Sequence, residues 1–172
     1  MNKIIFITGG SRSGKSTKAL DIAKKHKLRG FIATAIPFDD EMKLRITKHK
    51  KERDKDFVTI EEPYNIAEAI EKLELDVDVI IIDCISVWLG NLLFKYGENE
   101  SEFAEVKNLY KKLTDIKCDI IIVTNEIGMG IIPENKLARH YRDIAGFINQ
   151  KLAELSNEAF FMISGLTIKI KG

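Results

Sequence analysis

The chain has 172 residues, which suits one domain and is long enough to bury a substantial core. Lys plus Arg number 27 against 26 Asp plus Glu, so there is no basic excess of the kind that drives sequence-independent nucleic-acid binding, although a local basic patch stays open. No cationic leader with an apolar core opens the chain and no apolar run approaches the ~20 residues of a membrane helix, so a cytoplasmic protein without a membrane span is expected.

The first element is an apolar strand at 3–8, and the loop after it is the most informative stretch of the sequence. Gly9-Gly10-Ser11-Arg12-Ser13-Gly14-Lys15-Ser16 satisfies G-x-x-x-x-G-K-[ST] in full, between that strand and a helical pattern over 14–27. Glycines let the backbone wrap an anion, and the amides opening the helix then point at phosphate oxygens. Lys15 supplies a mobile charge for the β- and γ-phosphates, and the Ser16 hydroxyl is placed to ligate Mg²⁺.

Further strands are expected at 30–34, 57–60, 79–83, 119–124, 159–163 and 166–170, with helices at 39–54, 63–73, 85–96, 101–114 and 134–157. In the 39–54 segment Met42, Ile46 and His49 share one face at i, i+4 and i+7, so His49 points inward or into a cleft; from spacing alone it is a hydrogen-bonded structural histidine. Pro63 and Pro133 are placed in first helical turns, where proline is accepted. Val79-Ile80-Ile81-Ile82 and Ile120-Ile121-Ile122-Val123 are apolar at every position, as in a parallel sheet covered by helices on both faces.

Asp83 ends one of these strands and is read as lying beside the P-loop strand, where a carboxylate holds Mg²⁺ directly or through water; capping the next helix is a compatible second role. Cys84 and Cys118 adjoin apolar runs and read as small packing residues rather than a disulfide or a metal site, in a reducing compartment. Trp88 reads as core or interface, and His26 and His140 as surface histidines. Asn125-Glu126 either lines the cleft or caps a helix, and Arg139 and Arg142, i and i+3 on one helix, meet a substrate phosphate or another subunit. Ser164-Gly165 alone joins the last two strands, which predicts an antiparallel edge hairpin. With no repeat and no long linker, residues 1–172 read as one α/β domain of P-loop NTPase, RecA-like topology: a mainly parallel sheet flanked by helices, with that hairpin at its C-terminal edge.

The ordered set of Gly9-Gly10-Ser11-Arg12-Ser13-Gly14-Lys15-Ser16, Ile32-Ala33-Thr34-Ala35, Asp40-Glu41-Met42 with Arg45-Ile46 and His49, and Thr59-Ile60-Glu61 continues down the chain. It goes on through Asp83-Cys84, Trp88-Leu89, Asn91-Leu92-Leu93, Thr124-Asn125-Glu126-Ile127-Gly128-Met129-Gly130-Ile131-Ile132-Pro133-Glu134-Asn135, Leu137-Ala138-Arg139, Arg142-Asp143 and Gly165-Leu166. In these residues the sequence resembles the bifunctional adenosylcobinamide kinase / adenosylcobinamide-phosphate guanylyltransferase family of cobalamin biosynthesis. The P-loop is common to many families, whereas this series is specific.

The resemblance implies a transferase that phosphorylates adenosylcobinamide with ATP or GTP and then passes GMP from GTP, through a guanylylated His49, to adenosylcobinamide phosphate, giving adenosylcobinamide-GDP. It implies guanine-nucleotide contacts at Ala33, Thr34, Ala35, Lys50, Lys51, Glu52, Arg53, Glu61 and Asp83, beside the P-loop residues, with Ser16 and Asp83 on Mg²⁺. The stretch after the histidine departs locally, so Arg53 and backbone groups at 50–52 are the contacts that carry over there. A homotrimer is implied as well. Two other readings stay open: a plain P-loop small-molecule kinase with a structural His49, and a nucleic-acid-dependent ATPase, which the near-neutral charge and lack of aromatic–basic interleaving disfavour.

Overall fold

The computed structural model describes residues 2–37, 40, 43, 44, 47, 56–97, 100 and 102–172. Seven strands form one sheet: β1 (Ile4–Gly9), β2 (Arg29–Ala33), β3 (Phe57–Glu61), β4 (Val79–Asp83), β5 (Asp119–Val123), β6 (Glu158–Ile163) and β7 (Leu166–Lys171). The described helices are α1 (Lys15–Ala23), α2 (Ile66–Leu73), α3 (Ile85–Tyr96), α4 (Ala104–Leu113) and α5 (Lys136–Leu155). Strand order is β3-β2-β4-β5-β1-β6-β7, all parallel except the antiparallel β6–β7 pair. The mainly parallel sheet with an antiparallel edge hairpin is therefore as the sequence leads one to expect.

The continuous apolar runs are explained by two cores, one on each face. Ile5, Ile7, Val79, Ile81, Ile121 and Val123 pack with Ala19 and Ala23 of α1, while Ile4, Phe6, Ile80, Ile82, Ile120 and Ile122 pack under α2 to α5. Among the described residues α1 alone covers its face. Trp88 is fully buried and donates its indole N–H to the Tyr64 carbonyl at 2.6 Å, which makes it a core residue.

Several boundaries differ from the expected ones for local reasons. Helix α1 stops at Ala23, before Lys27, because the Asp78 carboxylate accepts from the amides of Lys27 and Leu28 (3.1 and 2.8 Å) and turns the chain into β2. Pro63 and Pro133 stand upstream of their helices and not in the first turns: Glu62 Oε1 accepts from Tyr64 N and Asn65 N, and Asn135 Oδ1 caps α5 through Ala138 N at 3.0 Å. Asp83 does not lie beside the P-loop strand, since β5 separates β4 from β1. His26 and His140, read as surface histidines, are each partly exposed, His26 Nε2 lying 3.7 Å from Asp119 and His140 Nε2 2.9 Å from the Glu100 carbonyl. Of the helix expected over 39–54, residues 40, 43, 44 and 47 are described and helical; Met42, Ile46 and His49 lie outside the described residues.

The edge hairpin turns through Ser164 (φ 51°) and Gly165 (φ 82°), consecutive left-handed residues that match a type I′ turn to the twist of the strands. Its tip reaches the P-loop, where Gly165 N donates to Ser13 O at 3.1 Å. Beneath it the Met162 carbonyl comes so close to Gly9 (φ 149°) that a Cβ there would lie 2.2 Å from the oxygen. Gly9→Ala is therefore expected to push β6 away from the loop and cost about 1–3 kcal/mol of stability, measured by urea unfolding; an unchanged midpoint would mean that this contact does not constrain the loop.

Candidate active site

The catalytic end of the sheet is fixed by how the chain leaves two neighbouring strands. From β1 it passes through the P-loop into α1 on one face and on to β2; from β5 it passes through residues 124–135 into α5 on the opposite face and on to β6. Such a switch point opens a crevice at the carboxyl ends of the strands, the usual ligand position in open α/β sheets. Registers place Glu61, Ala33, Asp83, Val123 and Ile7 in one row across β3, β2, β4, β5 and β1 at this end. Three residues expected at the nucleotide, Glu61, Ala33 and Asp83, are thus neighbours in that row.

The P-loop closes over the end of β1. Arg12 (φ 57°) and Gly14 (φ 96°) are left-handed, and Gly14 caps α1 through its carbonyl, which accepts from Lys18 N at 3.0 Å. Gly10, Ser11 and Arg12 are exposed and Ser13 is buried. Lys15 is 7% exposed and folds back on the loop, its ammonium donating to Gly10 O at 2.5 Å and to Ser13 Oγ at 3.5 Å. Burial pulls its pKa below the ordinary lysine range, and the nearby Cys84 and Asp83 oppose that shift.

Ser16, on the first turn of α1, donates its hydroxyl to Asp83 Oδ2 at 2.8 Å, across the width of β5. The two residues expected on Mg²⁺ are therefore in direct contact, and their oxygens are the hard donors that Mg²⁺ prefers. Cys84 follows Asp83 with its thiol 3.2 Å from Ser86 Oγ, and burial, with Asp83 second, pushes that thiol up to about 11. Both cysteines are free thiols, and Cys118 is buried, in keeping with packing roles.

Thr34 is fully buried, and its hydroxyl both donates to Cys84 O and accepts from Cys84 N, each at 2.9 Å. Its carbonyl takes the Asn91 amide at 2.8 Å and its own N–H reaches Asp83 O at 3.3 Å, so the side chain ties β2 to the strand that carries Asp83. Ala35 is half-buried just beyond it. His49, Lys50, Lys51, Glu52 and Arg53 lie outside the described residues.

The Asn125-Glu126 pair does not cap a helix. Asn125 Nδ2 donates to Ser86 Oγ at 3.1 Å, and Glu126 N donates to Gly9 O at 2.9 Å, which seats both at the crevice. Arg139 braces the loop ahead of α5 through the carbonyls of Pro133 and Glu134 (2.9 and 2.6 Å), and Arg142 contacts Asp143 at 3.3 Å. Three residues with no role assigned from sequence, Ser86, Asn91 and Tyr141, complete the network. Asn91 bridges Thr34 O and Pro63 O, and Tyr141 donates to Ser86 O at 2.7 Å. The signal for Asn91 was present: an amide inside the apolar run Val87 to Phe94.

Residues 5–170 match the family model described as cobinamide kinase / cobinamide phosphate guanyltransferase. The chain belongs to the cobinamide kinase / cobinamide phosphate guanyltransferase family. It is 37% identical to the bifunctional adenosylcobalamin biosynthesis protein CobU of Escherichia coli, over 98% of this chain and 99% of that protein. It is 35% identical to the bifunctional adenosylcobalamin biosynthesis protein CobP of Pseudomonas aeruginosa, over 97% and 96%. Among solved structures, the RadB recombinase (TM-score 0.52, 15% identity, 92% of this chain and 73% of that one) shares the fold alone. The same holds for an ATPase from the type III secretion system of pathogenic bacteria (TM-score 0.59, 10% identity, 98% of this chain and 58% of that one). This member of the cobinamide kinase / guanyltransferase family is thus a transferase built on the P-loop NTPase fold, and no helix among its described residues is long and apolar enough to cross a membrane.

The buried Lys15 gives a test with a defined sign. An ammonium attracts phosphate and a neutral amine does not, so affinity for ATP is expected to fall as pH rises through the lowered pKa of Lys15, at a lower pH than for an ordinary lysine. Lys15→Ala should remove a charge-assisted contact of about 1.5–3 kcal/mol, roughly 10- to 150-fold in affinity, and abolish that alkaline dependence. Calorimetric titration across alkaline pH measures both; a variant that keeps the wild-type pH dependence would assign it to another group.

Proposed function

We propose that this protein performs two successive transfers on one corrinoid: phosphorylation of adenosylcobinamide by ATP or GTP, then transfer of GMP from GTP to adenosylcobinamide phosphate through a guanylylated His49. The observation that carries this reading is the family match across residues 5–170, on a chain whose Lys15, Ser16 and Asp83 converge at one crevice.

In the first transfer the P-loop amides and Lys15 hold the β- and γ-phosphates in line with the acceptor hydroxyl, so positioning and charge stabilisation do most of the catalysis. Ser16 Oγ and the Asp83 carboxylate would hold Mg²⁺, which when bound neutralises charge on the phosphate oxygens. Thr34 keeps Asp83 in place by locking the adjoining Cys84 backbone to β2.

In the second transfer a neutral imidazole nitrogen of His49 attacks the α-phosphorus of GTP; an N–P bond forms as the bond to pyrophosphate breaks. An oxygen of adenosylcobinamide phosphate then attacks the same phosphorus, forming adenosylcobinamide-GDP and releasing His49. Support for this step comes from the sequence, from the resemblance at His49 and from its place on one helical stripe with Met42 and Ile46. The nucleotide contacts at Ala33, Thr34, Ala35, Lys50, Lys51, Glu52, Arg53 and Glu61, the homotrimer, the cytoplasmic location and the lack of nucleic-acid binding are proposed on the same resemblance and composition.

The decisive experiment is incubation with α-labelled GTP and Mg²⁺ in the absence of corrinoid. Wild type should gain one GMP through an acid-labile, alkali-stable linkage and release pyrophosphate, whereas His49→Ala should gain none yet still phosphorylate cobinamide. Labelling of His49→Ala, or none of wild type, would leave a kinase with a structural histidine.

A further inference from the structure

Transfer of a phosphoryl group to an alcohol requires that the hydroxyl be aimed at phosphorus and lose its proton, and kinases commonly assign this to a carboxylate. Among the described residues four carboxylates lie within three residues of a strand's carboxyl end: Glu61, Glu62, Asp83 and Glu126. Glu61 ends β3, the edge strand, with β2, β4 and β5 between it and β1. Glu62 accepts the amides of Tyr64 and Asn65 ahead of α2, and Asp83 accepts the Ser16 hydroxyl.

Glu126 differs from these in position and support. It follows β5, the strand next to β1, so it stands on the far wall of the switch-point crevice from the P-loop. The parallel ladder runs on past the strand ends, Thr124 N donating to Ile7 O at 3.0 Å and Glu126 N to Gly9 O at 2.9 Å, which ties its backbone to the first glycine of the P-loop. The side chain is half-buried, and Gly128 N donates to its Oε1 at 2.7 Å. A Cβ on Gly128 would lie 3.0 Å from that same oxygen, so the glycine leaves room for the carboxylate to keep this orientation.

We propose that Glu126 is the catalytic carboxylate of the phosphoryl-transfer step, orienting the acceptor hydroxyl and taking its proton, with Gly128 as its positioning residue. This rests on the kinase half of the function proposed above. In the step, the acceptor O–H bond breaks and its proton passes to Glu126; the freed oxygen bonds to the γ-phosphorus as the bond to the β-phosphate oxygen breaks. Nucleoside diphosphate leaves, and Glu126 returns the proton to solvent. The guanylyl step uses an acceptor that is already an anionic phosphate, so it places no such demand on Glu126.

The test compares wild type, Glu126→Gln, Glu126→Ala and Gly128→Ala for ATP-dependent phosphorylation of cobinamide, alongside formation of the GMP adduct from labelled GTP. Glu126→Gln should lower kcat about 100-fold or more while KM for ATP and the GMP adduct change little; Gly128→Ala should show a smaller loss of the same kind. Added formate should restore part of the kcat of Glu126→Ala, which a merely structural residue would not allow. A kcat within about threefold of wild type in Glu126→Gln, a loss confined to KM, or parallel loss of the GMP adduct would overturn the assignment. A wild-type protein that forms the GMP adduct but phosphorylates no cobinamide would overturn the kinase reading itself, and this role with it.

Discussion

The structure depends on one constraint: β1 and β5 are neighbours in a parallel sheet whose chain departs from them over opposite faces. A parallel strand leaves its carbonyl-end loops at the same edge as its neighbours, so the two departures part and leave a crevice between them. The P-loop forms one wall and residues 124–135 the other. Helix α1 begins in that crevice with its unpaired amides and positive dipole end directed into it, which makes the place favourable for phosphate before any side chain is considered.

The side chains add charge that is held in place from several directions. Lys15 is costly to bury as a cation; its ammonium donates to Gly10 O and Ser13 Oγ, and the nearby Cys84 and Asp83 favour the charged form against desolvation. Asp83 in turn is kept in place on two sides, by Ser16 from α1 and by the Thr34 lock on the Cys84 backbone. These groups come from three separate parts of the chain: Lys15 and Ser16 from the start of α1, Thr34 from the segment after β2, and Asp83 from the end of β4. The rigidity of the sheet, whose central runs Val79 to Ile82 and Ile120 to Val123 are apolar and buried throughout, is what lets polar atoms from such separate parts of the chain meet within hydrogen-bond distance. The hairpin contributes to the same end by pressing Met162 and Gly165 against the loop.

Much of this was legible in the sequence where physics makes a local demand. The P-loop announces itself because phosphate binding needs small residues and a lysine at fixed spacing, and the central strands because double burial requires uninterrupted apolar runs. Ser164-Gly165 was readable because a two-residue hairpin needs positive φ. Strand order was not readable: nothing local to Asp83 says that β5 is inserted between its strand and β1. Nor were the helix starts after Pro63 and Pro133, which are set by turns that Glu62 and Asn135 organise. The bracing done by Thr34, Ser86 and Asn91 was hidden because their partners are distant in sequence; a buried hydroxyl or amide declares a partner but does not name it.

Ser16 and Asp83 meet as one unit, although β5 separates the strand of Asp83 from the strand that feeds Ser16. Whether that unit holds the metal–nucleotide complex is tested most directly by a double-mutant cycle on binding of Mg·GTP, with Ser16→Ala, Asp83→Asn and the pair. Joint action predicts that the double variant binds no more than about threefold worse than the more damaged single variant, each tenfold departure from additivity being worth about 1.4 kcal/mol of coupling. Losses that simply multiply would show two independent residues and contradict it.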